Sequence, residues 1–291
     1  MPFKLGDEDA SFFANARFAS IACNLAYLPE AEGAAGFREQ LGMEAKLFSA
    51  DNTQAYLATD AENVLVAFRG SEAPTSLDGL KDWLVNNANN FLILPEGEIG
   101  TDFAAAGVGA RFHRGFMGAL ALIWPQLFPA TRAAMQEKER PLWITGHSLG
   151  GALAVLAAWR FLQQFIMPHK VFTFGAPMIG NKQASEAFTR ELPGRIHRFI
   201  DLPDVVPLLP TMSLMANEFI HVDGERPLDS TGKGGAASAI TVIQALAAAS
   251  VGGLFDLSLK ERLWSELQGR LKAHDIVNYS ALVDAEIARL G

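Results

Sequence analysis

The chain has 291 residues, 49% of them hydrophobic and 19% charged, with 24 Lys and Arg against 32 Asp and Glu for a formal charge of −8. That apolar content excludes a disordered chain, and the acidic balance argues against nucleic acid, whose phosphates need clustered cations. A single cysteine, Cys23, excludes an internal disulfide framework and any thiolate zinc cluster.

Taken in order, the start MPFKLGDEDA places Asp7, Glu8 and Asp9 where a signal peptide carries its apolar core. This predicts a cytoplasmic protein, with a trimmed chain or a non-classical export route as alternatives. Residues 11–28 carry apolar side chains at helical spacing, and a second helix is predicted over 34–43. Short β-like runs follow at 45–49, 53–59 and 63–68, separated by the turn residues Asp51-Asn52 and Asp60 to Asn63. The run Val64 to Phe68 is almost wholly apolar, as a strand buried on both faces requires.

Residues 71–110 change character, with Pro74, Pro95 and many Asn and Gly, and read as a long surface excursion. A helix over 112–138 must accommodate Pro125 and Pro129, which predicts strain or a kink. Then come a strand at 141–145, a helix at 148–165, a strand at 170–174, a helix at 182–192, and strands at 195–200 and 218–222. A variable tail, 228–262, precedes a last helix from about 274. Strands alternating with helices predict βαβ units and a largely parallel sheet. The uncharged stretch 234–255 is long enough to span a bilayer but is mostly Ala, Gly, Ser and Thr, so a buried helix is expected and no transmembrane segment.

The strongest motif is Gly146-His147-Ser148-Leu149-Gly150, a G-x-S-x-G. It follows a predicted strand and opens a predicted helix, the setting of a nucleophile elbow. Such a sharp turn leaves no room for side chains at Gly146 and Gly150. A serine needs a base, and the base needs an orienting carboxylate. In this type of fold the order along the chain is Ser, then acid, then His. His169 lies at the wrong edge of the sheet, and His197 and His221 lie within predicted strands. His274, at a junction into the last helix, remains as the base by elimination. Asp201 and Asp204 both follow the strand 195–200, and composition alone does not choose between them.

Several segments together resemble the class 3, fungal-type, lipase family. GHSLGGA (146–152) is similar to its elbow, and FGAPMIGN (174–181) to its FGxPRxGN, with Met178 and Ile179 replacing the usual Arg-Val. Asp204 to Pro210 resembles the family's DxVPxLP, which carries the acid and so selects Asp204. EFIHVDGE (218–225) resembles the strand just after that motif, which makes His221 structural, and His274, in HDIVNY, resembles the family's catalytic histidine. FRGS (68–71), Asp82-Trp83 and Phe112 to Phe116 resemble upstream motifs, so the likeness spans roughly residues 15 to 285. The excursion after Ser71 and the segment before His274 are longer than the family's.

The resemblance implies an α/β-hydrolase fold in one domain, 1–291, with a lid at 72–100 and a cap insertion at 229–262. It implies an oxyanion hole from the backbone N–H of Leu149 and from Ser71. Trp83, Leu84, His147, Val206 and Leu209 are the candidate substrate contacts. The activity implied is hydrolysis of acylglycerol esters through Ser148, Asp204 and His274, with phospholipase A1 or feruloyl esterase as alternatives on the same triad. An inactive lipid-binding protein is the contrasting expectation. No metal or cofactor is needed, and the partner is a lipid or ester substrate.

Overall fold

Apolar strand runs flanked by amphipathic helices dictate layers, and the computed structural model arranges them so over residues 5–6, 12–71, 92–95, 97–208, 219–230, 270 and 272–290. In chain order these are α1 (Phe12–Leu25), α2 (Glu30–Gly36), β1 (Glu44–Ala50), β2 (Thr53–Thr59), β3 (Val64–Phe68), β4 (Leu92–Ile93), α3 (Gly97–Ala104) and β5 (Phe112–His113). They continue with α4 (Arg114–Glu137), β6 (Leu142–His147), α5 (Leu149–Gln163), β7 (Lys170–Phe174), β8 (Gly180–Asn181), α6 (Lys182–Glu191), β9 (Ile196–Asp201), β10 (Phe219–Ile220), β11 (Glu225–Leu228) and α7 (Ile276–Leu290).

The main sheet has seven strands in the order β1-β2-β3-β6-β7-β9-β11. β1, β2 and β3 form an antiparallel meander, and from β3 onward every pairing is parallel. This is the mostly parallel α/β architecture expected. The first meander turn places Asp51 at φ 49°, and in the second the Asp60 Oδ1 accepts the amides of Glu62 and Asn63 at 2.7 and 2.6 Å. One face of the sheet packs on α4 and α5, the other on α1 and α7. α5 is buried almost all round, which explains its apolar run Ala152 to Ala158. Cys23 lies in the α1 layer, its Sγ 3.1 Å from Thr145 Oγ1, and burial pushes its thiol up to about 12, so it is inert.

Several boundaries differ from expectation. The helix predicted over 34–43 is α2 followed by a π-helical turn, Phe37–Leu41, which ends at Gly42 with φ 69°. α4 runs through both Pro125 and Pro129 without a break. The strand predicted at 218–222 contributes only Phe219–Ile220, to a small antiparallel sheet ordered β10-β8-β5-β4. The seventh strand of the main sheet is instead β11, hidden in the sequence because three of its four residues are exposed and one is Pro227, which only an edge strand tolerates. The excursion carries α3, anchored where Asp102 accepts from Arg160 Nε at 2.8 Å and Gln164 Nε2 at 3.0 Å. Most of the expected lid and cap, with Trp83, Leu84 and Leu209, lies outside the described residues. Among the described residues no helix is long and apolar enough to cross a membrane.

Candidate active site

Ser148 occupies the turn between β6 and α5 with φ 57° and ψ −130°. A non-glycine residue there stores about 1–3 kcal/mol of strain, which the surrounding fold must over-determine. It does so with backbone. A Cβ on Gly146 would strike the Gly150 carbonyl, and one on Gly150 the Phe68 carbonyl. The Ser148 N–H donates to Phe174 O at 2.9 Å, fixing the nucleophile against the end of β7. Ser148 also opens α5, whose first amides have no intrahelical acceptor and face a site where negative charge is stabilised.

The acid and base come from the loops after β9 and before α7. Asp204 Oδ2 accepts from His274 Nδ1 at 2.8 Å and from the Tyr279 hydroxyl at 2.7 Å, while Oδ1 accepts the Val206 amide at 2.9 Å. Both Asp204 and His274 are buried. With Nδ1 donating to the carboxylate, the remaining ring nitrogen, Nε2, carries the lone pair. That nitrogen is buried with no hydrogen-bond partner among the described residues. The next residue after Phe174, Gly175, is what admits the pair: at φ 59°, a Cβ there would lie 2.9 Å from both Asp204 Oδ2 and His274 Nδ1. Phe174 thus holds Ser148 on one side while Gly175 abuts the acid and base on the other. We expect Gly175→Ala to lower kcat about 100-fold, because displacing a reacting group by about 1 Å costs that much. Ester hydrolysis by the purified variant checks this, and a parental kcat would contradict it.

The two candidate oxyanion donors fall beside Ser148. Leu149 is the first residue of α5, and Ser71 follows Gly70, where an added Cβ would sit 3.1 Å from the Ser148 Cβ. The candidate substrate contacts that the structure describes are buried and hydrogen-bonded to Asp204 or His274. Val206 donates its amide to Asp204. His147 is 5% exposed, its Nδ1 2.7 Å from the Tyr27 hydroxyl and its Nε2 2.6 Å from His274 O. A carbonyl only accepts, so His147 carries its proton on Nε2 and accepts from Tyr27 at Nδ1. Burial, and then the neighbouring His274, hold its pKa well below the usual value.

Sequence reasoning passed over Gly175, Tyr279, Tyr27 and Asn278. Tyr279 was within reach, since it lies five residues beyond His274 on the face that α7 buries. Its hydroxyl accepts from Asp201 N at 3.0 Å, and burial, then the Asp204 charge, raise its pKa well above 10, so it stays a donor to Asp204. Asp201, the other candidate acid, lies apart from the base: its Oδ1 accepts the Ser230 amide and its Oδ2 the Asn278 side chain, both at 2.9 Å. His221 donates from Nε2 to Pro207 O at 2.6 Å, bracing the turn after Asp204.

Several of these imidazoles are kept neutral by burial. His113, which caps α4, is pushed down to about 4 and His221 to about 3, against an ordinary value of 6.5. Between those limits the unfolded chain binds a proton that the folded chain refuses, so stability rises with pH and is lost on acidification below about 6.5. Each such histidine costs about 2 kcal/mol between pH 7 and pH 5. The thermal midpoint should therefore drop over that interval; a midpoint constant from pH 7 to 5 would contradict the neutral assignments.

Known proteins resemble the chain. The family model described as lipase (class 3) matches residues 65–214. Secreted mono- and diacylglycerol lipase 1 of Fusarium solani is 31% identical over 163 residues, covering 54% of this chain and 42% of the relative. Secreted mono- and diacylglycerol lipase A of Penicillium cyclopium is 27% identical over 177 residues, covering 60% and 51%. The chain therefore spans about half the length of these relatives. A crystal structure of a Penicillium cyclopium MDLA mutant superposes with a TM-score of 0.59 at 20% identity, covering 80% of this chain and 92% of that one, which shows the same fold. Both relatives are named as secreted, which overturns the cytoplasmic location expected from the start of the chain. With a family match over just over half of its length, running from β3 through the Ser148 elbow to the Asp204 loop, the chain belongs to the class 3 lipase family.

Proposed function

We propose that the chain is a serine carboxylic-ester hydrolase acting on acylglycerols. The observation that carries this reading is the buried Asp204–His274 pair, whose Nε2 has no hydrogen-bond partner among the described residues, together with Ser148 on its strained elbow after β6. Ser148 Oγ attacks the ester carbonyl as its proton passes to His274 Nε2. The imidazolium so formed is stabilised through Nδ1–H by Asp204, which the Tyr279 hydroxyl and Val206 amide keep oriented. The carbonyl oxygen becomes an oxyanion, bound by the Leu149 amide and Ser71; each such donor is worth about 3 kcal/mol of barrier. Collapse breaks the ester C–O bond, the leaving alcohol takes the proton from His274, and an acyl-Ser148 ester remains. Water, deprotonated by His274, repeats the sequence and releases the fatty acid. Residues 72–100 and 229–262 act as lid and cap, excluding water from this chemistry.

The test is a release assay in a pH-stat over emulsified mono-, di- and triacylglycerols, phosphatidylcholine, methyl ferulate and p-nitrophenyl butyrate. Fatty acid from acylglycerols at rates above those from the other natural esters is expected. Release from phosphatidylcholine alone would make the chain a phospholipase, and no acylglycerol cleavage would sink the proposal.

A further inference from the structure

His274 sits at an awkward place for a catalytic base. It lies in the turn between a short helical segment ending at Ala273 and the start of α7 at Ile276. Carbonyls at the end of a helix have no amide to receive, and a histidine placed there is free to swing unless something else holds its backbone. Here two consecutive carbonyls are taken up by side chains from opposite directions. Ala273 O accepts from Asn278 Nδ2 at 2.9 Å, and the same Nδ2 donates to the buried Asp201 Oδ2 at 2.9 Å. His274 O accepts from His147 Nε2 at 2.6 Å, and His147 Nδ1 is held by the Tyr27 hydroxyl at 2.7 Å. The Tyr27 hydroxyl also packs against Gly70, where an added Cβ would strike it, just before Ser71.

We propose that Tyr27, His147, Asp201 and Asn278 are positioning residues that clamp the backbone of the catalytic base at two points. The proposal rests on the hydrolase reading above and adds to it. One arm reaches the base through the residue next to the nucleophile, so the elbow and the base move as one body. Its Tyr27 hydroxyl also packs against Gly70, the residue before Ser71. The other arm runs from the aspartate that the reaction does not use, and gives it a purpose: Asp201 aligns the amide that holds Ala273 O. The His147 ring also lies against the His274 ring, with centroids 4.6 Å apart, so it limits rotation of the base as well as its backbone.

The test measures kcat and KM for p-nitrophenyl butyrate, with thermal midpoints, on the full chain. Asn278→Leu removes one donor at similar volume, and His147→Phe removes the other while keeping a ring. Each should lower kcat 10- to 100-fold with KM within about twofold, as a displaced base requires. His147→Gln, which can donate from its own Nε2, should recover much of the loss; a purely structural role would rank Phe and Gln by stability alone. The double variant His147→Phe/Asn278→Leu should fall at least by the product of the single losses. Should His147→Phe not fold, Tyr27→Phe deletes one oxygen from the same arm and should show a smaller loss in kcat with KM unchanged. Folded single variants with kcat within twofold of the parent would overturn the clamp, as would Gln performing no better than Phe. Ser148→Ala, run alongside, separates the two ideas: if it is inactive while the clamp variants are not impaired, only the clamp fails, and if it retains activity, the hydrolase reading fails.

Discussion

Ser148→Ala should lower kcat for ester hydrolysis by roughly 10^5-fold, with KM little changed and the fold intact. The size of the loss follows from the unity of the machinery, since removing the nucleophile costs as much as removing the whole triad and leaves only the help of oxyanion donors and binding. The expected intactness follows from the elbow. The strain at φ 57° belongs to the backbone, and the turn is held by the Ser148 N–H bond to Phe174 O and by the close approach of Gly150 to Phe68, none of which uses Oγ. Circular dichroism with a thermal melt checks the fold, and initial rates check the activity. A Ser148→Ala protein that retains more than a hundredth of the parental rate would place the nucleophile elsewhere.

Asp204→Asn should be the second most damaging substitution, lowering kcat about 10^4-fold. Three donors converge on this carboxylate: His274 Nδ1–H, the Tyr279 hydroxyl and the Val206 amide. An amide offers one oxygen and one NH2 group, so it cannot accept from all three. If its NH2 faces His274, the imidazole must present its lone pair at Nδ1 and carry its proton on Nε2, where the base needs a lone pair. If it faces the Val206 amide, two donors meet without an acceptor in a buried site, at a cost of about 1–3 kcal/mol. The variant should therefore be both slow and less stable, with KM close to parental. Kinetics and a thermal melt report the two effects separately, and a loss of less than tenfold in kcat would show that Asp204 does not orient the base.

The parts of this molecule legible in its sequence are those where local chemistry leaves few choices. The glycines around Ser148 announce a turn that tolerates no side chain, and the apolar run of β3 announces a doubly covered strand. Choosing Asp204 over Asp201 needed the likeness of its Pro-bounded loop to a known family, because both residues lie at the C-terminal end of the same strand. What stayed hidden depends on contacts distant in sequence. Tyr27 meets His147 across 120 residues and Tyr279 meets Asp204 across 75, and neither spacing leaves a mark in the chain. β11 was obscured because an exposed edge strand with Pro227 has no apolar alternation to read. The substrate contacts proposed at His147 and Val206 sat close to motif residues, and the structure has both hydrogen-bonded to His274 or Asp204.

The measurement that bears most directly on this account is the site of reaction with an alkyl fluorophosphonate, mapped by mass spectrometry of the digested protein. One adduct is expected, on Ser148, formed by the folded parent, abolished by Ser148→Ala and strongly slowed by Asp204→Asn. An adduct on another residue, or no adduct on folded protein, would contradict it.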